Sequence, residues 1–342
     1  MDETDDLKKK LPDAEPSVGA AGSKAPPRGT HSKDVSSGAE KLQKAEKKFM
    51  KTWQSWVVEK KITDVPLELN LEGNDLANAG LFKKKAPFAV VYLKGVKPED
   101  QWEKFGDTEA PQNILNPKFV ASFRMGCDTQ EDRQQSLRIE FYNRAHKDKN
   151  DLGKQDFIGS ATCKLEDILS APGQVLSMEL KHPTKTAFRG TCTLFIDTLL
   201  IRDPPFEITL KIRSSGPSTD KKKCYYVISR GLRKANWTPV YQSETYKGSG
   251  APVFEPITLT QERLTAGADD RAFRIEIFSK SMMGKHESVG HFAAKYETLK
   301  GMNPGAKIPF NSTRDGHIAN GVKLMESEIT GSGAVFAFEV TE

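Results

Sequence analysis

The sequence predicts an all-β protein built of two tandem antiparallel sandwiches, and three observations carry that prediction. Leu137-Arg-Ile-Glu-Phe-Tyr-Asn143 returns 136 residues later as Phe273-Arg-Ile-Glu-Ile-Phe-Ser279. Each copy is followed by a polar loop and then by Asp156-Phe-Ile-Gly159 or Glu287-Ser-Val-Gly290. Upstream, Lys83-Lys-Lys-Ala-Pro-Phe88 is echoed at nearly the same offset by Lys221-Lys-Lys-Cys-Tyr225. The same landmarks in the same order mean two copies of one domain, with a period too long for a solenoid. Around them run short apolar segments punctuated by Gly, Pro, Asn and Asp roughly every 8 to 15 positions, the rhythm of antiparallel strands.

Length and composition agree. The 342 residues accommodate a leader of about 60 residues and two domains of about 130, an ordinary domain size. A hydrophobic fraction of 37% supports two modest cores, and no run approaches the ~20 apolar residues of a membrane span. The acidic start, Met1-Asp-Glu-Thr-Asp-Asp6, lacks the apolar segment of a signal peptide, so the chain reads as cytoplasmic. Cys127, Cys163, Cys192 and Cys224 lie far apart with no CxxC pair, which indicates neither a disulfide frame nor a zinc site. The net charge of +5 permits an acidic partner surface without demanding one. Nucleophile-elbow, P-loop and HExxH patterns are absent, and the six histidines are scattered, so no enzyme and no cofactor are expected. Nor is there the basic–aromatic interleave of a nucleic-acid binder.

Along the chain, residues 1–37 are rich in Pro, Gly, Ser, Asp and Lys and read as a disordered leader. Over 38–62, Leu42, Ala45, Phe49, Trp53 and Trp56 recur at helical spacing among lysines, predicting an amphipathic basic helix. Its aromatic stripe packs on the adjacent domain or, in the alternative, lies on an anionic membrane. The first domain, 64–201, has candidate strands at Pro66–Leu71, Phe88–Leu93, Phe119–Phe123, Leu137–Tyr142, Phe157–Cys163, Val175–Leu180 and Thr191–Leu199. A stiff linker, 202–205, contains Asp203-Pro-Pro205. The second domain, 206–341, has candidates at Phe206–Ile212, Tyr225–Ser229, Val253–Leu259, Phe273–Phe278, Val289–Ala294, Lys307–Phe310 and Ala334–Val340. Arg230-Gly-Leu-Arg-Lys234, near Trp237, reads as a charged hairpin, with an inositol phosphate site as its alternative.

These landmarks resemble the C2 domain, and their tandem arrangement is similar to the C2 pair of copines. Three motifs carry the resemblance. Lys85-Ala-Pro-Phe88 and, weakly, Lys222-Lys-Cys-Tyr225 stand at the exit of loop 1. Leu115-Asn-Pro117, with its counterpart Ser243 to Pro252, enters strand 4. Asp156-Phe-Ile-Gly159 and Gly284-Lys-His-Glu-Ser-Val-Gly290 stand at the exit of loop 3. The resemblance covers residues 64 to 341 and implies eight strands per sandwich. Copines carry a further integrin-like domain after the pair. Gly333-Ala-Val-Phe-Ala-Phe338 looks instead like the last strand of the second sandwich, so functions of that further domain are not expected.

The family's chemistry is calcium binding by carboxylates of loops 1 and 3. Family spacing places the first domain's ligands at Gly80, Ala86, Asn143, Ala145 and Asp156, of which one is acidic. Asp148 and Asp151 lie in the lengthened loop beside Asp156, so these three are the candidate metal ligands, for at most a weak calcium site in the first domain. The second domain has Pro217, Lys223, Ser279, Ser281 and Glu287 at those positions, and no functional calcium site is expected there. Lys83, Lys84 and Lys85 crowd one loop, and Lys221, Lys222 and Lys223 the equivalent loop of the repeat. Leu81 and Phe82 stand beside the first run, and Met282 and Met283 in loop 3 of the second domain. Cations beside exposed apolar tips form a two-part membrane signal.

The expected function is therefore a non-enzymatic, copine-like peripheral adapter. It binds anionic phospholipid largely without calcium, associating reversibly with the inner face of membranes. The alternatives are a scaffold for protein partners and calcium-dependent lipid binding retained through the first domain.

Overall fold

The computed structural model describes residues 57–59, 66–77, 86–112, 114–216, 223–232, 236–248, 250–280, 286–312 and 321–341. Among the described residues, nineteen strands make four sheets. In the first half they are β1 (Val57–Glu59), β2 (Pro66–Asn74), β3 (Pro87–Lys94), β4 (Glu103–Asp107), β5 (Lys118–Gly126), β6 (Ser136–Asn143), β7 (Asp156–Lys164), β8 (Val175–Glu179) and β9 (Thr191–Thr198). In the second they are β10 (Glu207–Ser215), β11 (Lys223–Gly231), β12 (Trp237–Gln242), β13 (Ile257–Thr260), β14 (Ala272–Lys280), β15 (His286–Lys295), β16 (Lys307–Ile308), β17 (Asn311–Ser312), β18 (Gly321–Ile329) and β19 (Gly333–Thr341). The first sandwich packs sheet β1-β5-β2-β9-β8 on sheet β4-β3-β6-β7; the second packs β13-β10-β19-β18-β16 on β12-β11-β14-β15-β17.

Alternation drives both halves. In β14, Phe273, Ile275 and Ile277 point inward between half-exposed Arg274 and Glu276; in β19, Phe336 and Phe338 do the same. Each sandwich has its own core, around Leu69, Phe123 and Ile139 in the first and Leu210, Tyr226 and Phe292 in the second.

Three expectations need correction. The helix predicted over 38–62 meets the described residues only at Val57–Glu59, and these form β1, paired in parallel with β5. Pairing with an open sheet edge overrides helical periodicity there; the rest of that segment, and the leader, lie outside the described residues. Strands β4, β12 and β18 were not anticipated, because Glu103–Asp107 is largely polar, Gly321–Ile329 alternates only at Val322 and Leu324, and β12 contains Pro239. Finally, β19 is not the counterpart of β9. In the first sandwich β2 pairs directly with β9. In the second, β19 inserts between β10 and β18, parallel to one and antiparallel to the other, so the repeat carries an extra central strand.

The alternation also fails informatively in β2. Leu67, Leu69 and Leu71 face the core, yet the outward-facing Glu68 and Asn70 are buried too. The second sandwich covers that face. Arg230, at the end of β11, and Arg263, in the helical turn Gln261–Thr265, close over the Glu68 carboxylate, which is 0% exposed. Glu68 Oε1 accepts from Arg263 Nη1 at 2.9 Å and from Ser122 Oγ at 2.9 Å, and Oε2 accepts from Arg230 Nη2. Arg263 also donates to Ser122 Oγ and to the Val120 carbonyl, each at 2.7 Å. Asp197 of β9 pairs with Arg230 and Arg271. Desolvation alone would raise the Glu68 carboxyl, but Arg230, Arg263 and Arg124 outweigh it and hold it well below the usual range. Burial lowers the Arg263 guanidinium to about 10 against the pull of Glu68, while Glu68 and Asp197 outweigh burial and raise Arg230; both remain protonated at neutral pH.

This latch corrects the reading of Arg230 as part of a charged hairpin or phosphate site. Its guanidinium is fully buried between the sandwiches; Arg233 and Lys234 lie outside the described residues.

Candidate functional site

In each sandwich the strand ends that bracket the predicted site lie at one pole, where β2 ends and β3 begins, or β10 ends and β11 begins. The latch lies elsewhere. Glu68 is near the opposite end of β2, and Arg230 is at the far end of β11, roughly 23 Å along the strand from Lys223. The latch thus sits away from the strand ends that bracket the predicted loops.

At the first pole, β2 is followed by Asp75, whose backbone adopts φ 51° and whose N–H donates to Asn116 Oδ1 at 2.6 Å. Leu81, Phe82, Lys83, Lys84 and Lys85 lie outside the described residues, which resume at Ala86. There the Ala86 N–H donates to Asn143 Oδ1 at 2.7 Å, and the Arg144 N–H returns to the Ala86 carbonyl at 3.0 Å. The buried Asn143 amide thus ties loop 1 to loop 3 at a position where the family pattern expects a carboxylate.

Loop 3, residues 144–155, is organised by another neutral amide. Buried Gln155 accepts from the Ala145 and His146 N–H groups at 2.9 and 3.1 Å and donates to the Asp148 carbonyl at 2.6 Å. The three candidate metal ligands share this loop, with separate engagements. Asp148 Oδ1 accepts from the Asn150 N–H at 3.0 Å, Asp151 pairs with Lys154 at 2.6 Å, and Asp156 heads β7 opposite Asn143. Lys149 turns inward, donating to the Thr108 carbonyl at 2.7 Å and pairing with Asp107. Among the described residues, no three His, Cys, Asp or Glu side chains are grouped to hold a metal. A shallow groove beside Ala86 is instead lined by Gln112, Arg144, His146 and Lys147.

At the second pole, Lys221, Lys222, Met282 and Met283 lie outside the described residues, while Lys223 opens β11 and is exposed. It stands directly opposite Lys280 of β14, and Lys280 stands opposite His286 of β15. Partial burial, then Lys280, lowers the His286 imidazole below its usual range. Tyr225 anchors the ring: its hydroxyl lies 2.8 Å from His286 Nδ1, and it stacks on Phe278 at 5.2 Å. Ser279 is buried, and Glu287 sits opposite it in register.

Two segments, residues 69–180 and 210–309, match the C2 domain family. The chain belongs to that family. It is similar to the copines. Copine-A of Dictyostelium discoideum is 31% identical over 242 residues, spanning 68% of this chain and 38% of the relative. Copine-D of the same organism is 29% identical, spanning 68% and 43%, and Protein BONZAI 2 of Arabidopsis thaliana is 24% identical, spanning 66% and 40%. The chain thus spans about two fifths of the length of these curated relatives. As a tandem C2 protein, it brings Lys223 to Lys280, a neighbour that sequence reading passed over. Arg144, His146 and Lys147 were missed as well, although basic residues interleaved through a loop expected to be acidic were the available signal.

Proposed function

We propose that this tandem C2 protein is a peripheral, non-enzymatic adapter that binds anionic phospholipid through its two loop poles, largely without calcium. The reading rests chiefly on one observation: a lysine occupies a family ligand position, Lys223, directly across from Lys280. Like charges paired across strands are destabilising by a few tenths of a kcal/mol to about 1 kcal/mol, a cost that an anionic headgroup bound at the pole would offset. The first pole supports the same reading. Its loops are held by the amides of Asn143 and Gln155, and its groove presents Arg144 and Lys147.

The first pole does not suit a hard dication, which needs several converging anionic oxygens. Asp148 is engaged in its own turn and Asp151 by Lys154, so Asp148, Asp151 and Asp156 are proposed to shape the loop without a resident metal. Fixed ammonium groups supply the positive potential instead, each contributing about 1 kcal/mol near an anionic leaflet. No helix among the described residues is long and apolar enough to cross a membrane, and the proposed attachment is peripheral, at the cytoplasmic face.

Co-sedimentation with phosphatidylserine vesicles, in calcium and in chelator, tests the proposal. Equal binding is expected. Binding in calcium alone would overturn the metal-free mechanism, and binding in neither would favour a scaffold for protein partners. Lys280→Gln should raise Tm slightly by relieving the cross-strand repulsion while weakening vesicle binding about fivefold. A drop in Tm with unchanged binding would show that Lys280 is structural.

A further inference from the structure

We propose that the β8–β9 loop, residues 181–189, is a further lipid-contacting element of the first sandwich, seating Phe188 in an anionic bilayer; this rests on the membrane reading above. The loop was read from the sequence only as a connection. In the fold it belongs to the same pole as loops 1 and 3. The Asn74↔Thr191 register brings its end beside the end of β2, and the Ala77 N–H donates to the Arg189 carbonyl at 3.1 Å. On its other side, Arg189 Nε donates to the Ile158 carbonyl at 2.9 Å, His182 packs on Phe157 at 5.4 Å, and Lys181 bridges to Ser160. Gly190, at φ +106°, closes the clamp: a Cβ there would lie 2.8 Å from the Asn74 carbonyl oxygen and 2.9 Å from Leu76 Cα. The loop is fastened at its roots and free at its tip.

That tip has the composition of a membrane anchor. Lys181-His-Pro-Thr-Lys-Thr-Ala-Phe-Arg189 contains three fixed cations and no acid. Phe188 is 57% exposed, the most exposed aromatic side chain among the described residues, and it joins neither core. Lys181 and Lys185 are exposed beside it. Partial burial, then Lys185 and Arg189, lowers the His182 imidazole below its usual range, so the loop's charge at neutral pH comes from Lys and Arg. The acids near it lie outside the loop: Asp75 and Glu179 are exposed, Asp151 pairs with Lys154, and Asp156 is half-buried. An exposed ring on a loop with three cations and no acid matches a surface with an anionic face over an apolar interior, which an anionic bilayer provides and a soluble phosphate does not. The corresponding segment of the repeat, between β16 and β18, contains Asp315 and no aromatic residue after Phe310, so the feature is peculiar to the first sandwich.

The test uses the full chain with phosphatidylserine–phosphatidylcholine vesicles in chelator. Because the four native cysteines are buried, Phe188→Cys can be labelled selectively with an environment-sensitive fluorophore. On vesicles its emission should shift to the blue and intensify. Phe188→Ser should weaken vesicle binding roughly tenfold, and Lys185→Glu at least about fivefold, both with unchanged Tm. If the chain binds while the label stays water-like and both variants bind normally, this inference is overturned and the membrane reading stands. If no variant and no parent chain binds any vesicle, both are overturned.

Discussion

Replacing Glu68 by glutamine should destabilise the chain by about 3–5 kcal/mol, the usual consequence of removing one partner from a buried ion pair. Tm should fall by on the order of 10 °C. The size of the effect follows from what the carboxylate holds. Arg230 and Arg263 are both fully buried, and each relies on Glu68 for charge compensation across the junction. Glutamine keeps the shape and one acceptor but takes the compensating charge from the buried Arg230 and Arg263 and from Arg124, with Arg230 retaining Asp197. Calorimetry of the full chain provides the check. The parent should unfold in one transition, and Glu68→Gln should separate the melting of the two sandwiches. Adding Arg230→Met and Arg263→Met should recover part of the loss, because removing the orphaned charges is less harmful than burying them. A Tm within 2 °C or so of the parent for Glu68→Gln would refute the latch.

The latch also carries a pH signature whose sign is determined. The Glu68 carboxyl is held well below its ordinary value of 4.5. Its contribution is therefore fully present above pH 4.5 and is lost as pH falls from there through the folded-state value, since the unfolded chain takes up the proton first. Denaturant titrations between pH 5 and pH 3 should show stability falling with acidification in the parent and falling less steeply in Glu68→Gln. Identical slopes would mean that Glu68 is not ionised in the folded chain.

Reversing Lys83–Lys85 and Lys221–Lys223 to glutamate together should weaken phosphatidylserine vesicle binding more than a hundredfold, given about 1 kcal/mol for each cation near an anionic surface. If the proposed reading holds, reversing one run alone should have a smaller effect, since with two linked attachments the intact one would retain the chain. Raising salt should weaken the parent in parallel, since interactions between exposed charges fade over a Debye length of about 8–10 Å. Binding unchanged by the double reversal would place the lipid contact elsewhere on the chain. Tm should be unaffected in every case if the lysine runs take no part in the latch, which separates this series from the Glu68 series.

Much of the architecture was legible in order. The repeated Leu137–Asn143 and Phe273–Ser279 segments are β6 and β14, central strands whose alternation is written residue by residue because each has one face on a core. The C2 family followed from the same landmarks, which matched over both halves. The proposed site rests on composition: lysines where the family pattern has carboxylates. Other features depended on partners distant in sequence. Lys280 acquires meaning only when register sets it against Lys223, and the 181–189 loop only when β9 returns it to the end of β2. Strands β4 and β18 carried little local signal, since β4 is largely polar and β18 sends only Val322 and Leu324 into the core before turning polar.

Glu68 marks the boundary between the two kinds of information. By local pattern it is an outward-facing residue between Leu67 and Leu69, and nothing within β2 distinguishes it from a solvated surface acid. Its partners lie 162 and 195 residues away. The chain's own order of residues determined the repeat, the strands that face a core and the cationic character of the poles, because those properties reside in local periodicity and composition. Tertiary structure alone decided which polar face is buried, which arginines are latch rather than phosphate site, and where β19 inserts, because burial and ion pairing are properties of surfaces brought together only by folding.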